Sequence, residues 1–204
     1  MPAFTEKDLT QDPLQLFAKW FAKAKRTETK NPGYDHTACS LGTALKSGAP
    51  SVRIVLLKSF DPKGFVFFTN YQSRKGRELV ENPKAALCFF WPTLGRQIRV
   101  EGTISKVSAK ESDAYFSSRP RGSQIGAIAS SQSRPLSSRN DLIRAVKRLE
   151  KKFGEDKIPR PLNWGGFRLT PSQIEFWQAQ ESRLHDRFLY RKKSGKWTSE
   201  RLYP

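Results

Sequence analysis

Residues 51–70 read SVRIVLLKSFDPKGFVFFTN. Two runs rich in β-branched, leucine and aromatic residues, 51–58 and 64–70, flank the turn signature Asp61-Pro62-Lys63-Gly64, which predicts an antiparallel hairpin rather than a helix. The same pattern extends outward in both directions. Strands are predicted at 36–45, 85–91 and 96–107, with turns at Lys46-Ser47-Gly48 and from Pro92 to Gly95. A short helix, Ser73 to Glu81, interrupts them before Asn82-Pro83. Five strands with tight turns and one inserted helix predict a closed or nearly closed barrel, not a doubly wound parallel sheet.

Upstream, residues 12–25 form an amphipathic helix pattern. Asp12 suits the N-cap, Pro13 the first turn, and Leu14, Phe17, Phe21 and Ala24 recur on one face. Residues 1–11 are expected to be a flexible end. Downstream, Ser108 with Glu111 opens a helix that must stop before Pro120, a second starts near Ser123, and a third runs from Ser138 through Leu142, Val146, Leu149 and Phe153. Four further strands are predicted at 164–170, 172–178, 185–191 and 197–202. The fold class is α+β, a mainly antiparallel barrel with peripheral helices, in one domain spanning 1–204.

The 204 residues carry 37 Lys+Arg against 19 Asp+Glu, a formal net charge of +18. That excess favours anionic partners, while 37% hydrophobic residues argue for a packed interior rather than disorder. Cys39, Cys88, His36 and His185 have no ligand-like spacing, so no metal site is expected. The first residues lack an apolar leader and no apolar run approaches the ~20 residues that span a bilayer, so a cytoplasmic protein without membrane attachment is expected.

Phosphate-cradling glycine loops are absent, so a bound phosphate must rely on side-chain cations, hydroxyls and helix N-termini. Arg53 and Lys58 bracket an apolar strand, and Ser73-Arg74-Lys75 stands at a predicted helix start. The odd spacing of Arg53 and Lys58 puts them on opposite strand faces unless the strand ends or bulges near Lys58. Tyr115 and Arg119 are i and i+4, with Ser123 just across Pro120, so three phosphate-competent groups straddle one junction. In an extended strand Arg183, His185 and Arg187 share a face, with Leu184, Asp186 and Phe188 opposite. Asp186 pairing with surface arginines is the plainer alternative. Gln97, Gln132, Ser133 and Trp177 can hydrogen-bond or stack on a planar heterocycle. The residues alone give an anion-binding barrel with room for a planar ligand.

Taken in order, these blocks resemble the pyridoxine/pyridoxamine 5′-phosphate oxidases. The resemblance rests on Arg53 to Lys58, Phe68-Thr69-Asn70 with Ser73 to Gly76, Arg96-Gln97, Tyr115-Phe116 with Ser118-Arg119-Pro120, Ser123 to Gly126, Gln132-Ser133, Trp164 to Phe167, Glu175 to Gln178, Arg183 to Arg187, and Arg201-Leu202 with Pro204. It implies a split β-barrel homodimer holding non-covalent FMN between subunits. It implies cofactor contacts from Arg53, Ile54, Val55, Leu56, Leu57, Lys58, Phe68, Thr69, Arg74, Lys75, Gln97, Gln132, Ser133, Trp177 and Arg187. It also implies that Lys58, Tyr115, Arg119 and Ser123 take the substrate phosphate, and that Arg183, Leu184 and His185 hold the pyridine ring, with Arg183 and His185 as the catalytic pair. The reaction implied is oxidation of pyridoxine or pyridoxamine 5′-phosphate by O₂ to pyridoxal 5′-phosphate, with release of H₂O₂. Two other readings stay open: a different FMN-dependent split-barrel reductase or oxidase, and a basic nucleic-acid-binding module. The last is not expected, because no nucleic-acid motif accompanies the charge.

Overall fold

A computed structural model describes residues 2–28, 30 and 34–204. Helix α1 (Pro13–Glu28) leads into β1 (Ala38–Ala44), β2 (Pro50–Leu56), β3 (Ser59–Asp61), β4 (Gly64–Asn70), α2 (Arg74–Glu81), β5 (Lys84–Trp91) and β6 (Arg96–Lys106). Three helices follow, α3 (Ala109–Ser118), α4 (Arg121–Ala129) and α5 (Arg139–Phe153), then β7 (Trp164–Gln178), β8 (Asp186–Lys193) and β9 (Lys196–Leu202).

Every strand pairing is antiparallel. The sheet runs β2-β1-β5-β6-β7-β4-β3, with β8 and β9 added beside β7. Its two ends, β2 and β3, are consecutive in the chain and separated only by Leu57 and Lys58. That short link brings the edges round on each other, giving the curled half-barrel of a split-barrel fold. Leu57, 3% exposed, turns into the barrel core, and the Lys58 amide donates to the Val66 carbonyl at 2.9 Å.

The caps form where side-chain chemistry asks for them. Asp12 Oδ1 accepts from the Leu14 amide at 2.9 Å, and Ser73, Ser108 and Ser138 accept from the amides of Gly76, Glu111 and Asp141. Phe17 of α1, fully buried, meets Phe60, Phe65 and Phe89 edge to face at 4.8–5.3 Å. Burial of each such ring contributes about 1.5–3 kcal/mol. Residues 2–11, expected to be loose, have a seat on this core. Phe4 is 2% exposed between Trp20 and Phe188, and its amide donates to Asp186.

Two local expectations change. The runs 51–58 and 64–70 are not hairpin partners: β2 pairs with β1, and the short β3 takes the place beside β4 across the Asp61–Gly64 turn. Residues 164–170 and 172–178 are one strand, β7, because the pairing with β6 shifts register between Glu101 and Gly102 and absorbs Pro171 there. Gly102 permits the close approach, since a Cβ would stand 2.1 Å from the Thr170 carbonyl oxygen. The last two strands, expected at 185–191 and 197–202, start within one residue of those positions: β8 begins at Asp186, after the turn Glu181–Arg183, and β9 at Lys196. No helix among the described residues is long and apolar enough to cross a membrane.

Candidate active site

Where the ends of β2 and β4 meet α2, α3, α4 and the start of β7, the surface opens into a cleft of about 670 Å³. Eleven of the expected site residues line it: Ile54, Val55, Leu56, Lys58, Phe68, Thr69, Lys75, Tyr115, Arg119, Ser123 and Gln132. β2 ends at Leu56, so Lys58 lies past the strand and the odd Arg53–Lys58 spacing presents no conflict. Leu57 does not line the cleft, because its side chain, 3% exposed, is packed in the barrel core.

One wall is aromatic. Phe68 stacks on Tyr115 at 4.0 Å and on Trp164 at 5.5 Å, and the Tyr115 and Trp164 planes differ by 8°. Arg119 caps this wall, its guanidinium carbon 4.7 Å from the Trp164 ring centroid. The position follows from local sequence. Pro120 stops α3 at Ser118, leaves Arg119 extended, and begins α4 one residue later. Arg119 Nη1 is buried with no hydrogen-bond partner among the described residues. Burial pulls the guanidinium below its ordinary value, and the same burial pushes the Tyr115 phenol up against the pull of Arg119. A half-buried guanidinium with one buried, unpartnered nitrogen, in a cleft that Tyr115 and Ser123 also line, is chemically suited to a phosphate monoester.

The opposite wall is polar. Thr69 Oγ1 donates to Gln132 Oε1 at 3.1 Å, and Lys75 Nζ lies 3.4 Å from Thr69 and 3.3 Å from Gln132. Burial pulls the Lys75 ammonium down, Arg53 adds to that, and Glu78 opposes it. Behind this wall lies a residue that the sequence reading missed. Glu78, 2% exposed, accepts from Arg53 at 3.0 Å and Arg74 at 2.9 Å, and from the Thr43 and Ser51 hydroxyls at 2.5 and 2.7 Å. Its i+4 spacing from Arg74 was readable, but the link to Arg53 crosses from helix to strand and leaves no local trace. Asn70 and Trp164 also line the cleft without having been singled out for it.

The remaining site residues gather elsewhere. Gln97, Trp177 and Arg187 are lateral neighbours across β6, β7 and β8. Arg187 donates to Glu175 through Nε at 2.9 Å and to the Tyr203 carbonyl at 2.9 Å. His185 lies with its ring 4.6 Å from that of Trp177, and its Nδ1 accepts from the Gln180 amide at 3.1 Å, so the neutral ring carries its proton on Nε2. The shared strand face expected for Arg183, His185 and Arg187 does not exist. Ser182 and Arg183 adopt left-handed φ of 53° and 60°, which ends any extended run before β8. Left-handed backbone at non-glycine residues costs about 1–2 kcal/mol each and tends to mark functional segments. Leu184, 69% exposed, and Arg183 project from this turn. Neither this cluster nor Arg53, Arg74 and Ser133 lines the cleft. Ser133, with φ of 68°, lines a neighbouring hollow.

Comparison with known proteins gives a consistent result. A family profile described as pyridoxamine 5′-phosphate oxidase matches residues 27–153, and one described as the pyridoxine 5′-phosphate oxidase C-terminal dimerisation region matches residues 164–204. The chain is 51% identical over 197 residues to the pyridoxine/pyridoxamine 5′-phosphate oxidase of Gluconobacter oxydans (strain 621H), covering 97% of this chain and 96% of that one. It is 51% identical over 203 residues to the protein of the same name from Brucella anthropi, covering 98% and 97%. Among solved structures, PhzG from Burkholderia lata 383, in complex with tetrahydrophenazine-1-carboxylic acid, superposes with a TM-score of 0.92 at 30% identity, covering 100% of this chain and 99% of that chain.

Proposed function

Because the chain belongs to the pyridoxamine 5′-phosphate oxidase family, we propose that it oxidises pyridoxine 5′-phosphate or pyridoxamine 5′-phosphate to pyridoxal 5′-phosphate with FMN as cofactor and O₂ as the final acceptor. The observation that carries the substrate class is Arg119, whose buried Nη1 lacks a partner beside Tyr115 and Ser123. Leaving such a group unsatisfied costs about 1–3 kcal/mol, which a bound phosphate would return as affinity.

The donor set fits a phosphorylated flavin. Arg53, Arg74 and Lys75 converge around Glu78, whose single charge leaves the trio net positive. They would hold the cofactor phosphate together with Ser133, while Thr69, Gln132 and the row Ile54 to Leu56 border its chain and ring. Leu57 can contribute only through its backbone. When bound, the flavin supplies the two-electron acceptor for the substrate and passes those electrons to O₂ as H₂O₂. Lys58, Tyr115, Arg119 and Ser123 would grip the substrate phosphate and so fix the distance of the pyridine ring from that acceptor. Arg183 would orient and polarise the ring. His185, anchored through Nδ1, presents Nε2–H as a donor and positions the substrate rather than serving as an obligatory base.

Two groups of residues on separate surfaces make one site if two copies pair, with Gln97, Trp177, Arg183, Leu184, His185 and Arg187 of one completing the cleft of the other. Val52 at 70% and Ile54 at 63% exposure lie on the outward row of β2, an apolar strip beside the cleft that such a homodimer would cover. The test is aerobic turnover with each substrate. Pyridoxal 5′-phosphate and H₂O₂ should form in equal amounts, and a flavin-loaded protein inert to both substrates would overturn the assignment.

A further inference from the structure

Away from the cleft, a cavity of about 460 Å³ lies between the N-terminal segment, one side of α1 and the first residue of β6. Lys7, Lys19, Lys23, Arg26 and Arg96 line it, and Asp8 is the one acid among its lining residues. None of these five cations makes an ion pair among the described residues, although Arg53, Arg99, Arg160, Arg168, Arg187, Arg191 and Arg201 all do.

Lys19, Lys23 and Arg26 recur at i, i+4 and i+7, on one row of α1. Like charges at those spacings lower helix stability. The positions that could relieve them hold no acid, since Gln15, Ala22 and Thr27 stand there. At the floor, Arg96 is fixed in place. Its Nε donates to Gln178 at 3.0 Å and its guanidinium carbon lies 4.0 Å over the Trp20 ring. A held guanidinium at the base with four further cations around it is a concave anion receptor that the proposed catalytic reaction does not use.

We propose that this cavity binds an oligophosphate chain, free or as part of a nucleotide. Charge sets the class. Five cations against one carboxylate leave a local excess of four, which a triphosphate of roughly four charges balances and a single orthophosphate of roughly two does not. The two aromatic rings in the lining, Phe4 and Trp20, are 2% and 4% exposed, and Arg96 lies over one Trp20 face, so little aromatic surface is offered for base stacking and recognition rests on the phosphates. The site sits against the catalytic framework. Arg96 precedes Gln97 in β6, and its lateral neighbour Gln178 follows Trp177 in β7.

The experiment is calorimetric titration of the flavin-loaded chain with sodium tripolyphosphate and, separately, orthophosphate at constant ionic strength. Tripolyphosphate should bind at least about tenfold more tightly than orthophosphate, because each added charge-assisted contact contributes to affinity. Lys19→Glu with Lys23→Glu should weaken it by about tenfold or more, and Lys19→Gln with Lys23→Gln by less, in the same direction. Lys147→Glu with Lys151→Glu on α5 makes the same change in net charge far from the cavity and should alter affinity by less than about twofold. Equal loss in the α1 and α5 charge-reversal pairs, a loss confined to Arg119→Ala, or no preference for tripolyphosphate would each overturn the proposal. The first result means diffuse attraction, the second means binding in the catalytic cleft, and the third means no selective site.

Discussion

Arg53 Nη2 lies 3.0 Å from Glu78 Oε2, tying a β2 cation to an α2 carboxylate that is 2% exposed. Arg74 takes the other carboxylate oxygen, so one acid holds two of the cations assigned to the cofactor phosphate. Removing one member of a buried ion pair leaves the other uncompensated, at about 3–5 kcal/mol. Glu78→Ala should therefore destabilise the protein by about 3 kcal/mol in urea unfolding. Glu78→Gln keeps the shape and should cost less, yet still weaken FMN binding by about tenfold because the arginines lose their fixed orientation. Unchanged FMN affinity in Glu78→Gln would show that the arginines need no such anchor.

Glu78 also makes stability pH-dependent. Burial alone would raise its pKa, but the Thr43 and Ser51 hydroxyls with Arg74 and Arg53 hold it at about 2, against an ordinary 4.5. The folded-state value is depressed, so the stabilisation is complete above 4.5 and is lost as the pH falls from there toward 2. Asp61 and Asp186 are lowered as well. The informative quantity is therefore the difference between the parent chain and Glu78→Gln. That difference should shrink steadily over the window, and a constant difference would contradict the assignment.

At Arg119 binding and stability should respond in opposite directions. Arg119→Met removes a half-buried guanidinium with one orphaned, buried nitrogen and should raise the ligand-free stability by about 1 kcal/mol. The same change should raise the KM for a phosphorylated substrate by about 10- to 100-fold, the value of a charge-assisted hydrogen bond, with a smaller fall in kcat. Lower stability together with an unchanged KM would remove Arg119 from the substrate site.

Completion of the site by a second copy gives a mixing test. Arg119→Ala and His185→Ala place their defects in different residue clusters. If the clusters of two subunits meet, a randomly mixed dimer population contains about one quarter intact sites, since half of the dimers are heterodimers with one good site each. Activity should recover to about that fraction after co-refolding. No recovery would place both residues in a site made by one chain.

Where the chain's chemistry is local, its structure was legible. Asp12, Ser73, Ser108 and Ser138 cap the helices predicted for them, and most strand positions follow from alternation and turns. The misreadings arise where tertiary structure overrides a local signal. Pro171 reads as a strand breaker, but a bulge opposite Gly102 accommodates it. Residues 183–187 alternate like a strand, yet nothing in Ser182 or Arg183 announces left-handed backbone. The cleft residues were found through order and spacing, whereas Glu78 escaped because its defining partners, Arg53, Thr43 and Ser51, come from other elements.

The central claim is that this cleft brings a phosphorylated pyridine against a bound flavin. Its most direct test is anaerobic mixing of the FMN-loaded protein with pyridoxamine 5′-phosphate or pyridoxine 5′-phosphate while the flavin absorbance is followed. Bleaching in a single turnover is expected, reversed by admitting O₂, with much slower bleaching in Arg119→Ala. A flavin spectrum untouched by both substrates would contradict it.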